Sequence, residues 1–208
     1  MKILIADDHP VVRQGLRLML EAQADISRVA EAGSAAEALE RLRGESWDAL
    51  VLDLNLPDRS GFEVLHDVRA RWPQLPVLIL SIHPEHIMGA RLLKAGAAGY
   101  LNKDSAPAEL LNAVRSVAAG HRYVSPALAQ ILAEQLRTNG AGAPHERLSE
   151  REFQVFRLLA SGKPVGEVAE LLHLSANTVS TYRARILEKM ELANNAELMR
   201  YAVENGLV

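Results

Sequence analysis

The sequence has 208 residues, of which 49% are hydrophobic, 24% charged and 4% aromatic. This composition is typical of one large or two small globular domains and excludes a wholly disordered chain. There is no cysteine, which excludes a disulfide scaffold, a Cys-ligated metal site and thiol catalysis. The net charge of −3 gives no overall attraction to nucleic acid. Because no apolar run is long enough to span a membrane and the N-terminus has no signal-peptide core, we expect a cytoplasmic protein without a membrane partner.

The first 120 residues alternate short apolar runs with amphipathic stretches. This alternation is typical of a parallel sheet that is covered by helices on both faces. The sequence therefore predicts a doubly wound, five-stranded α/β domain over residues 1–120. The predicted strands are 2–6, 27–31, 49–53, 76–81 and 99–101, and the predicted helices are 11–20, 34–43, 62–72, 84–94 and 107–119.

The pattern changes after residue 120. Residues 121–147 are expected to link two domains, with a helix over 126–137 followed by a Gly- and Ala-rich flexible stretch over 138–146. Residues 148–208 carry helical periodicity throughout and predict an all-α domain. Its four predicted helices are about 149–160, 164–172, 176–190 and 194–204.

Polar side chains stand at the carboxyl ends of four predicted strands. Asp7 and Asp8 follow the first strand, Asp53 closes the third, Ser81 closes the fourth and Lys103 follows the fifth. In open parallel sheets these ends meet in one cleft, where three carboxylates need a cation among them. Oxygen ligands without cysteine favour Mg²⁺, and a carboxylate beside Mg²⁺ and an ammonium group is placed to attack a phosphoryl group. Any one of these residues alone is explained by a solvated loop, but their joint placement is not.

One enzyme class has a similar acidic pocket. Aspartyl phosphatases of the haloacid-dehalogenase type need a second Asp two residues after the nucleophile, and this chain has Asn55 there. The missing proton shuttle favours a long-lived acyl phosphate over sustained turnover. No strand is followed by a P-loop, and an acidic cleft disfavours a flavin cofactor.

Four segments resemble the receiver domain of two-component response regulators: ILIADDHPVVRQGL, LVLDLNLPDRSGFEVL, VLILSIHPE and AGAAGYLNKD. The resemblance covers about residues 1–120. It implies that a sensor histidine kinase phosphorylates Asp53 and that Mg²⁺ is the cofactor. It further implies an Mg²⁺ site made of Asp8, Asp53 and the Asn55 backbone carbonyl with Asp7 assisting, phosphoryl contacts from Ser81 and Lys103, and an aromatic switch residue at Tyr100.

Ile82 departs from the family pattern, which has a small residue after the hydroxyl. A β-branched side chain there is expected to restrict access of the phosphodonor or of water. This departure keeps open a receiver that works without phosphorylation. Asn55 and His83 stand where family members tune dephosphorylation, so the phosphate lifetime stays open.

The C-terminal helices carry helix-turn-helix signals. Ser149 and Glu152 form a capping box, and Ser175 is placed to cap the third helix of this domain. A helical wheel of residues 176–190 predicts a buried stripe that includes Val179 and Ile186. The opposite face has short polar side chains that suit a major groove, although an ordinary solvated face remains the alternative. The candidate DNA-binding residues are Asn177, Ser180, Thr181, Ala184 and Arg185 on this face, with Arg183, Lys189 and Lys163 placed to contact phosphates.

Residues 148–208 resemble the LuxR-type DNA-binding domain of NarL/FixJ-type regulators. The resemblance implies that Ser180, Thr181 and Ala184 face bases. It also implies that the last helix pairs two domains on an inverted-repeat operator. The family often has positive side chains at Val165-Gly166 and Ser180, so modest non-specific affinity for DNA is expected.

Together, the two resemblances predict a non-enzymatic, homodimeric response regulator that binds DNA when phosphorylated and so regulates transcription, with RNA polymerase as a further candidate partner. A phosphorylation-independent receiver and a metal-dependent phosphatase are the alternatives.

Overall fold

A computed structural model describes residues 1–105, 107–137, 143–172 and 174–208. The chain forms two compact units, Met1–Leu132 and Ala133–Val208. None of the described helices is long and apolar enough to cross a membrane.

The first unit is a five-stranded parallel sheet in the order β2-β1-β3-β4-β5, and it confirms the predicted doubly wound fold. Every residue of the central strands β3 and β4 is buried, because helices cover both faces of the sheet. The strands are β1 Lys2–Ala6, β2 Arg28–Ala32, β3 Ala49–Asp53, β4 Val77–Ser81 and β5 Gly99–Asn102. The helices are α1 Pro10–Glu21, α2 Ala35–Gly44, α3 Gly61–Arg71, α4 Glu85–Lys94 and α5 Pro107–Ala118.

Local signals fix where these helices begin. Pro10 opens α1, the Ser34 hydroxyl accepts from the Glu37 amide at the start of α2, and the Ser60 hydroxyl accepts from the Phe62 amide at the start of α3. In α2 and α3 a serine hydroxyl accepts a hydrogen bond from a first-turn amide that has no partner within the helix. In α1 the proline ring fixes φ near its helical value. Since each helix begins a few residues after a strand, the connecting loops gather at one edge of the sheet.

The loop after β3 closes tightly on its own strand at Gly61. The Gly61 amide donates to the Leu54 carbonyl at 2.8 Å. A Cβ atom on Gly61 would lie 2.3 Å from the Asp53 carbonyl oxygen and 2.6 Å from the Leu54 Cα. Both atoms belong to the backbone, so they cannot rotate away. Gly61 therefore permits the sharp return from β3 into α3.

Replacing Gly61 with Ala is expected to lower the free energy of unfolding of the first unit by about 1–3 kcal/mol, because the new methyl group forces the backbone apart. Urea unfolding followed by tryptophan fluorescence measures this, since both tryptophans, Trp47 and Trp72, lie in that unit. Gly15→Ala is the control. A Cβ on Gly15 would meet nothing within 4 Å, and alanine in a helix is favoured by about 0.5–1 kcal/mol. Equal stabilities of the two variants would contradict this explanation.

The segment after α5 differs from the expected linker. Residues 121–132 belong to the compact first unit, where Leu128 is fully buried. The predicted helix is present as α6, Pro126–Arg137. A short 3₁₀ turn, Pro144–Arg147, occupies part of the stretch expected to be flexible, whereas residues 138–142 lie outside the described residues. Apolar side chains of this segment pack against residues that are distant in the chain, and local sequence patterns do not indicate such contacts.

The second unit contains four complete α-helices in its described part and confirms the predicted all-α fold. They are α7 Glu150–Ala160, α8 Val165–Leu171, α9 Ala176–Met190 and α10 Asn195–Glu204. Helix α7 packs against α9 and α10, and α8 packs against α9. The buried side chains include Phe153, Phe156, Ile186 and Leu198. The predicted capping box is present between Ser149 and Glu152.

Candidate functional site

Four side chains form an acidic cluster at the carboxyl edge of the sheet. Asp7, Asp8, His9 and Asp53 each offer a ligand atom, and these atoms lie within 4.8 Å of one another. The Asp7 and Asp53 side chains are almost fully buried, whereas Asp8 is about one-third exposed. The structure thus brings together the three carboxylates that strand order predicted.

His9 is a member of this cluster that the sequence analysis did not single out. Its Nδ1 atom lies 2.5 Å from Asp8 Oδ1 and 3.4 Å from Asp7 Oδ1. Its backbone amide also donates to Asp7 Oδ1 at 2.8 Å. The position directly after the two aspartates was the available signal. His9 helps to fix the orientation of both carboxylates.

Lys103 supplies the positive charge inside the cluster. Its Nζ donates to Asp53 Oδ2 at 2.8 Å and forms an ion pair with Asp7 Oδ2 at 2.6 Å that lacks directed hydrogen-bond geometry. Its side chain is 11% exposed, so water screens these contacts little. The Lys103 amide donates to the Ser81 carbonyl at 2.9 Å, which fixes the lysine relative to β4.

Burial and the contacts between opposite charges shift the pKa values of Asp53 and Lys103 in opposite directions. Burial raises the pKa of Asp53, and the nearby Asp7 adds to this effect, while Lys103 partly offsets it. Burial alone would lower the pKa of Lys103, but its contacts with Asp53 and Asp7 outweigh burial and raise that pKa. The lysine therefore stays charged while the carboxylates carry an excess of negative charge.

Three carboxylate oxygens in the cluster are buried and accept no hydrogen bond of regular geometry among the described residues: Asp7 Oδ2, which lies beside Lys103, Asp8 Oδ1, which lies beside His9, and Asp53 Oδ1. Oxygens with unused lone pairs and net negative charge form the donor set of a hard divalent cation. The residues present therefore fit Mg²⁺.

Asp58 holds the loop that carries Asn55. Its two carboxylate oxygens accept from the Ala35 amide at 2.8 Å and the Ala36 amide at 2.9 Å, at the start of α2. Burial alone would raise the pKa of Asp58, but the backbone hydrogen bonds together outweigh it and hold that pKa below its usual value. These bonds tie the loop between β3 and α3, which also carries Asn55, to the start of α2.

Ser81 and Tyr100 meet at the loop after β4. Ser81 is fully buried, and its Oγ accepts from the His83 amide at 3.2 Å. The Tyr100 hydroxyl donates to the His83 carbonyl at 2.6 Å, and its side chain is fully buried. Ile82 is 60% exposed and so does not fill the pocket.

The predicted DNA-binding face lies on the exposed side of α9. Val179, Ile186 and Met190 are buried, as the helical wheel predicted. The exposed residues of α9 include Asn177, Ser180, Thr181, Ala184 and Arg185. A shallow depression of about 340 Å³ is lined by Asn177, Thr178, Thr181, Tyr182 and Arg185.

The positively charged side chains predicted to contact DNA differ in whether they already have a partner within the chain. Lys189 Nζ lies 2.7 Å from Glu152 Oε2, Arg183 Nε donates to Asn195 Oδ1 at 2.6 Å, and Lys163 pairs with Glu167. In contrast, Arg185 has no hydrogen-bonding or ionic partner in the part of the chain that the structure describes. Arg185 is the cation on α9 that a ligand can engage without breaking a contact.

Replacing Glu152 with Gln is expected to lower the stability of the second unit by about 1–2 kcal/mol at neutral pH. Burial alone would raise the pKa of Glu152, but hydrogen bonds from Lys189 and Ser149 outweigh it and lower the pKa below 4.5. Stabilisation from a lowered pKa is present above the unfolded pKa and is lost as the pH falls through the folded pKa. Calorimetry of the whole chain should show the difference at pH 7 and its decline below 4.5. A difference that is constant over this pH range would rule out an ionic origin.

Comparison with known proteins agrees with this geometry. The family model of the response regulator receiver domain matches residues 3–115, and that of the bacterial regulatory proteins of the luxR family matches residues 146–202. The chain is 35% identical over 206 residues to response regulator UvrY of Escherichia coli K12, covering 99% of this chain and 94% of UvrY. It is 41% identical over 210 residues to transcriptional activator protein ExaE of Pseudomonas putida, covering 100% of this chain and 98% of ExaE.

A solved structure of RcsB from Salmonella enterica serovar Typhimurium, bound to promoter P1flhDC in the presence of the phosphomimetic BeF₃⁻, matches with a TM-score of 0.69. It is 27% identical, and the match covers 97% of each chain. The chain therefore belongs to the NarL/FixJ-type two-component response regulators, which regulate transcription, and it joins a receiver domain to a LuxR-type DNA-binding domain.

Proposed function

We propose that Asp53 accepts a phosphoryl group from a sensor histidine kinase. A carboxylate oxygen of Asp53 attacks phosphorus, the bond from phosphorus to the donor histidine nitrogen breaks, and an aspartyl phosphate forms. The observation that carries this proposal is the placement of Asp53 at the end of a central strand, 2.8 Å from the Lys103 ammonium and beside Asp7 and Asp8.

The same residues account for the proposed Mg²⁺ requirement. Asp8, Asp53 and the Asn55 backbone carbonyl would hold the ion, with Asp7 assisting. When bound, the ion neutralises charge on the transferring phosphoryl oxygens. Lys103 and Ser81 then bind phosphoryl oxygens. Since Asn55 cannot act as the proton shuttle of a phosphatase, the phosphoryl group serves as a signal rather than as a step in sustained turnover.

The second unit reads DNA through α9. Asn177, Ser180, Thr181, Ala184 and Arg185 face the base edges. Lys163, Arg183 and Lys189 approach the phosphates, but each must first leave its present partner, so their net contribution is small. Helix α10 pairs two chains on an inverted-repeat operator, and RNA polymerase is a further partner in the cytoplasm.

Intact mass tests the proposed chemistry. The protein is incubated with Mg²⁺ and a small acyl-phosphate donor, beside the Asp53→Asn variant and a chelator control. We expect one added phosphoryl group that is absent from both controls. An adduct on Asp53→Asn, or no adduct on rapid sampling, would contradict the assignment. The exposed Ile82 does not favour the phosphorylation-independent alternative.

A further inference from the structure

His9 stands at the start of α1, but its side chain does not serve that helix. An N-cap residue usually accepts a hydrogen bond from a first-turn amide through its side chain. The His9 side chain makes no such bond, and Pro10 opens the helix instead. The imidazole lies at the acidic pocket, where its Nδ1 atom is 2.5 Å from Asp8 Oδ1. The ring is therefore available to the pocket rather than to α1.

The backbone on both sides of the His9 ring is held in place. Its amide donates to Asp7 Oδ1 at 2.8 Å, and its carbonyl accepts from the Arg13 amide at 3.0 Å. The Arg13 guanidinium also donates to the Asp7 carbonyl at 2.6 Å, which ties the end of β1 to the first turn of α1. A metal site whose donor groups are fixed before the ion arrives binds more tightly, because less conformational freedom is lost on binding.

The His9 nitrogen changes the chemistry of the donor set. Asp7, Asp8, His9 and Asp53 each offer one ligand atom, and these atoms lie within 4.8 Å of one another. Asp53 Oδ1 is buried and accepts no hydrogen bond among the described residues, so it can bind an ion without losing a partner. Three carboxylates suit Mg²⁺, whereas an imidazole nitrogen is a ligand for first-row transition metals and rarely for Mg²⁺. Asp8 and His9 are partly exposed, so an ion can reach both from solvent.

The contact between His9 and Asp8 is not an ordinary structural hydrogen bond. Nδ1 and Asp8 Oδ1 lie 2.5 Å apart, but the pair lacks directed hydrogen-bond geometry, and Asp8 Oδ1 accepts no hydrogen bond in the described chain. A histidine that only oriented a carboxylate would be expected to aim an N–H group at it. Here the two atoms are instead close together without such a bond, as neighbouring ligands of one ion are.

We propose that His9 is a nitrogen ligand that lets the pocket hold a first-row transition metal ion such as Mn²⁺ in place of Mg²⁺. This inference rests on the proposed function, because it uses the same carboxylates. Asp8, Asp53 and His9 would hold the transition metal ion, with Asp7 assisting, whereas Mg²⁺ would be held without the imidazole. The affinity of the pocket for Mn²⁺ relative to Mg²⁺ therefore depends on His9.

Pulsed electron paramagnetic resonance of Mn²⁺ bound to the full chain tests the ligand directly, because it detects a nitrogen nucleus that is bound to the ion. We expect nitrogen coupling in the wild type, its loss in His9→Asn and its retention in His83→Asn. Asparagine is a favoured N-cap residue, so His9→Asn should keep α1 intact. His83 follows β4 at the same edge of the sheet but is not one of the four residues of the cluster, so it is the matched control. A wild-type spectrum without nitrogen coupling would overturn the assignment.

Affinities for the two ions separate a ligand from a residue that only orients Asp8. The signal of free Mn²⁺ gives the affinity for Mn²⁺, and displacement of bound Mn²⁺ by Mg²⁺ gives the affinity for Mg²⁺. His9→Asn should lower the affinity for Mn²⁺ by about tenfold or more and change the affinity for Mg²⁺ by less than about threefold. Equal losses for both ions would mean that His9 only holds Asp8 in place, and the proposal would be wrong.

The Asp53→Asn variant distinguishes failure of this proposal from failure of the proposed function. If this variant binds Mn²⁺ more weakly but the wild-type spectrum lacks nitrogen coupling, the role given to His9 is wrong and the proposed function stands. If Asp53→Asn leaves both Mn²⁺ binding and the spectrum unchanged, the ion lies outside the acidic pocket, which contradicts both.

Discussion

Lys103→Gln is expected to lower the free energy of unfolding of the first unit by about 3–5 kcal/mol at neutral pH in the presence of a chelator. The substitution removes the cation that contacts two almost fully buried carboxylates, Asp7 and Asp53. Glutamine keeps a hydrogen-bond donor but no charge, so two like charges remain together in a poorly hydrated site. Urea unfolding followed by fluorescence of Trp47 and Trp72 reports this unit alone.

The loss of unfolding free energy in the Lys103→Gln variant should depend on pH and on Mg²⁺. Because the pKa of Asp53 is raised by burial, the stability linked to this group is fully present below the unfolded pKa of 3.8 and is lost as the pH rises through the folded pKa. Without Lys103 that pKa rises further, so the deficit of the variant should shrink toward low pH. Mg²⁺ should restore part of the stability at pH 7 by binding the folded state.

Lys2→Gln is the matched control for this experiment. Lys2 pairs with Glu45 at 3.7 Å, and its side chain is 43% exposed, so its loss should cost less than about 1 kcal/mol. A deficit for Lys103→Gln no larger than that of Lys2→Gln would mean that the buried charges are not balanced by this lysine.

Arg185→Ala is expected to weaken binding to a specific operator by about 10- to 100-fold, because an arginine that contacts a base edge contributes about 1–3 kcal/mol of discrimination. Arg185 lies on the exposed face of α9 beside Asn177 and Thr181 and has no partner to leave in the described part of the chain. Fluorescence anisotropy with a duplex selected by the wild-type protein measures the affinity. Mutating the guanine that Arg185 contacts should lower the affinity of the wild type for the duplex. It should not further lower the already reduced affinity of the Arg185→Ala variant.

Arg147→Ala provides the comparison for charge alone. Arg147 is exposed and pairs loosely with Glu191 at 3.7 Å, so its removal changes the net charge of the second unit by the same amount. We expect a small effect on affinity that is similar for specific and unrelated duplexes. If Arg185→Ala lowers the affinity for the specific and the unrelated duplex equally, Arg185 contacts the DNA backbone rather than a base.

Most of the fold follows from local patterns in the sequence. Continuous apolar runs such as Ala49–Asp53 indicate buried parallel strands, and residues such as Ser34 and Ser149 indicate where helices begin. The pocket could be predicted because a parallel sheet places the ends of its strands together whatever the loops do. The confirmed helical wheel of α9 depends on the same kind of local periodicity.

Contacts between residues far apart in the chain were not predictable in this way. The sequence gives no sign that Leu128 packs against Gly89 of α4 or that Tyr123 forms a bridge with Gly99 of β5, so local patterns predict a linker over residues 121–147. The charges of Arg183 and Lys189 suggest DNA contacts, but their pairing with Asn195 and Glu152 depends on tertiary packing. The pairing of Lys163 with Glu167 is local, since the two residues are four apart. His9 joins the cluster through a turn whose geometry the sequence does not specify.

The link from the pocket to DNA is tested most directly by operator affinity measured with and without BeF₃⁻ in Mg²⁺, for the wild type and for Asp53→Asn. We expect BeF₃⁻ to raise the affinity of the wild type by about tenfold or more and to leave Asp53→Asn unchanged, because only the wild type can hold the phosphoryl mimic on its acceptor oxygen. Equal stimulation of both proteins, or an unchanged affinity of a wild type whose pocket has bound BeF₃⁻, would contradict a receiver that controls DNA binding through Asp53.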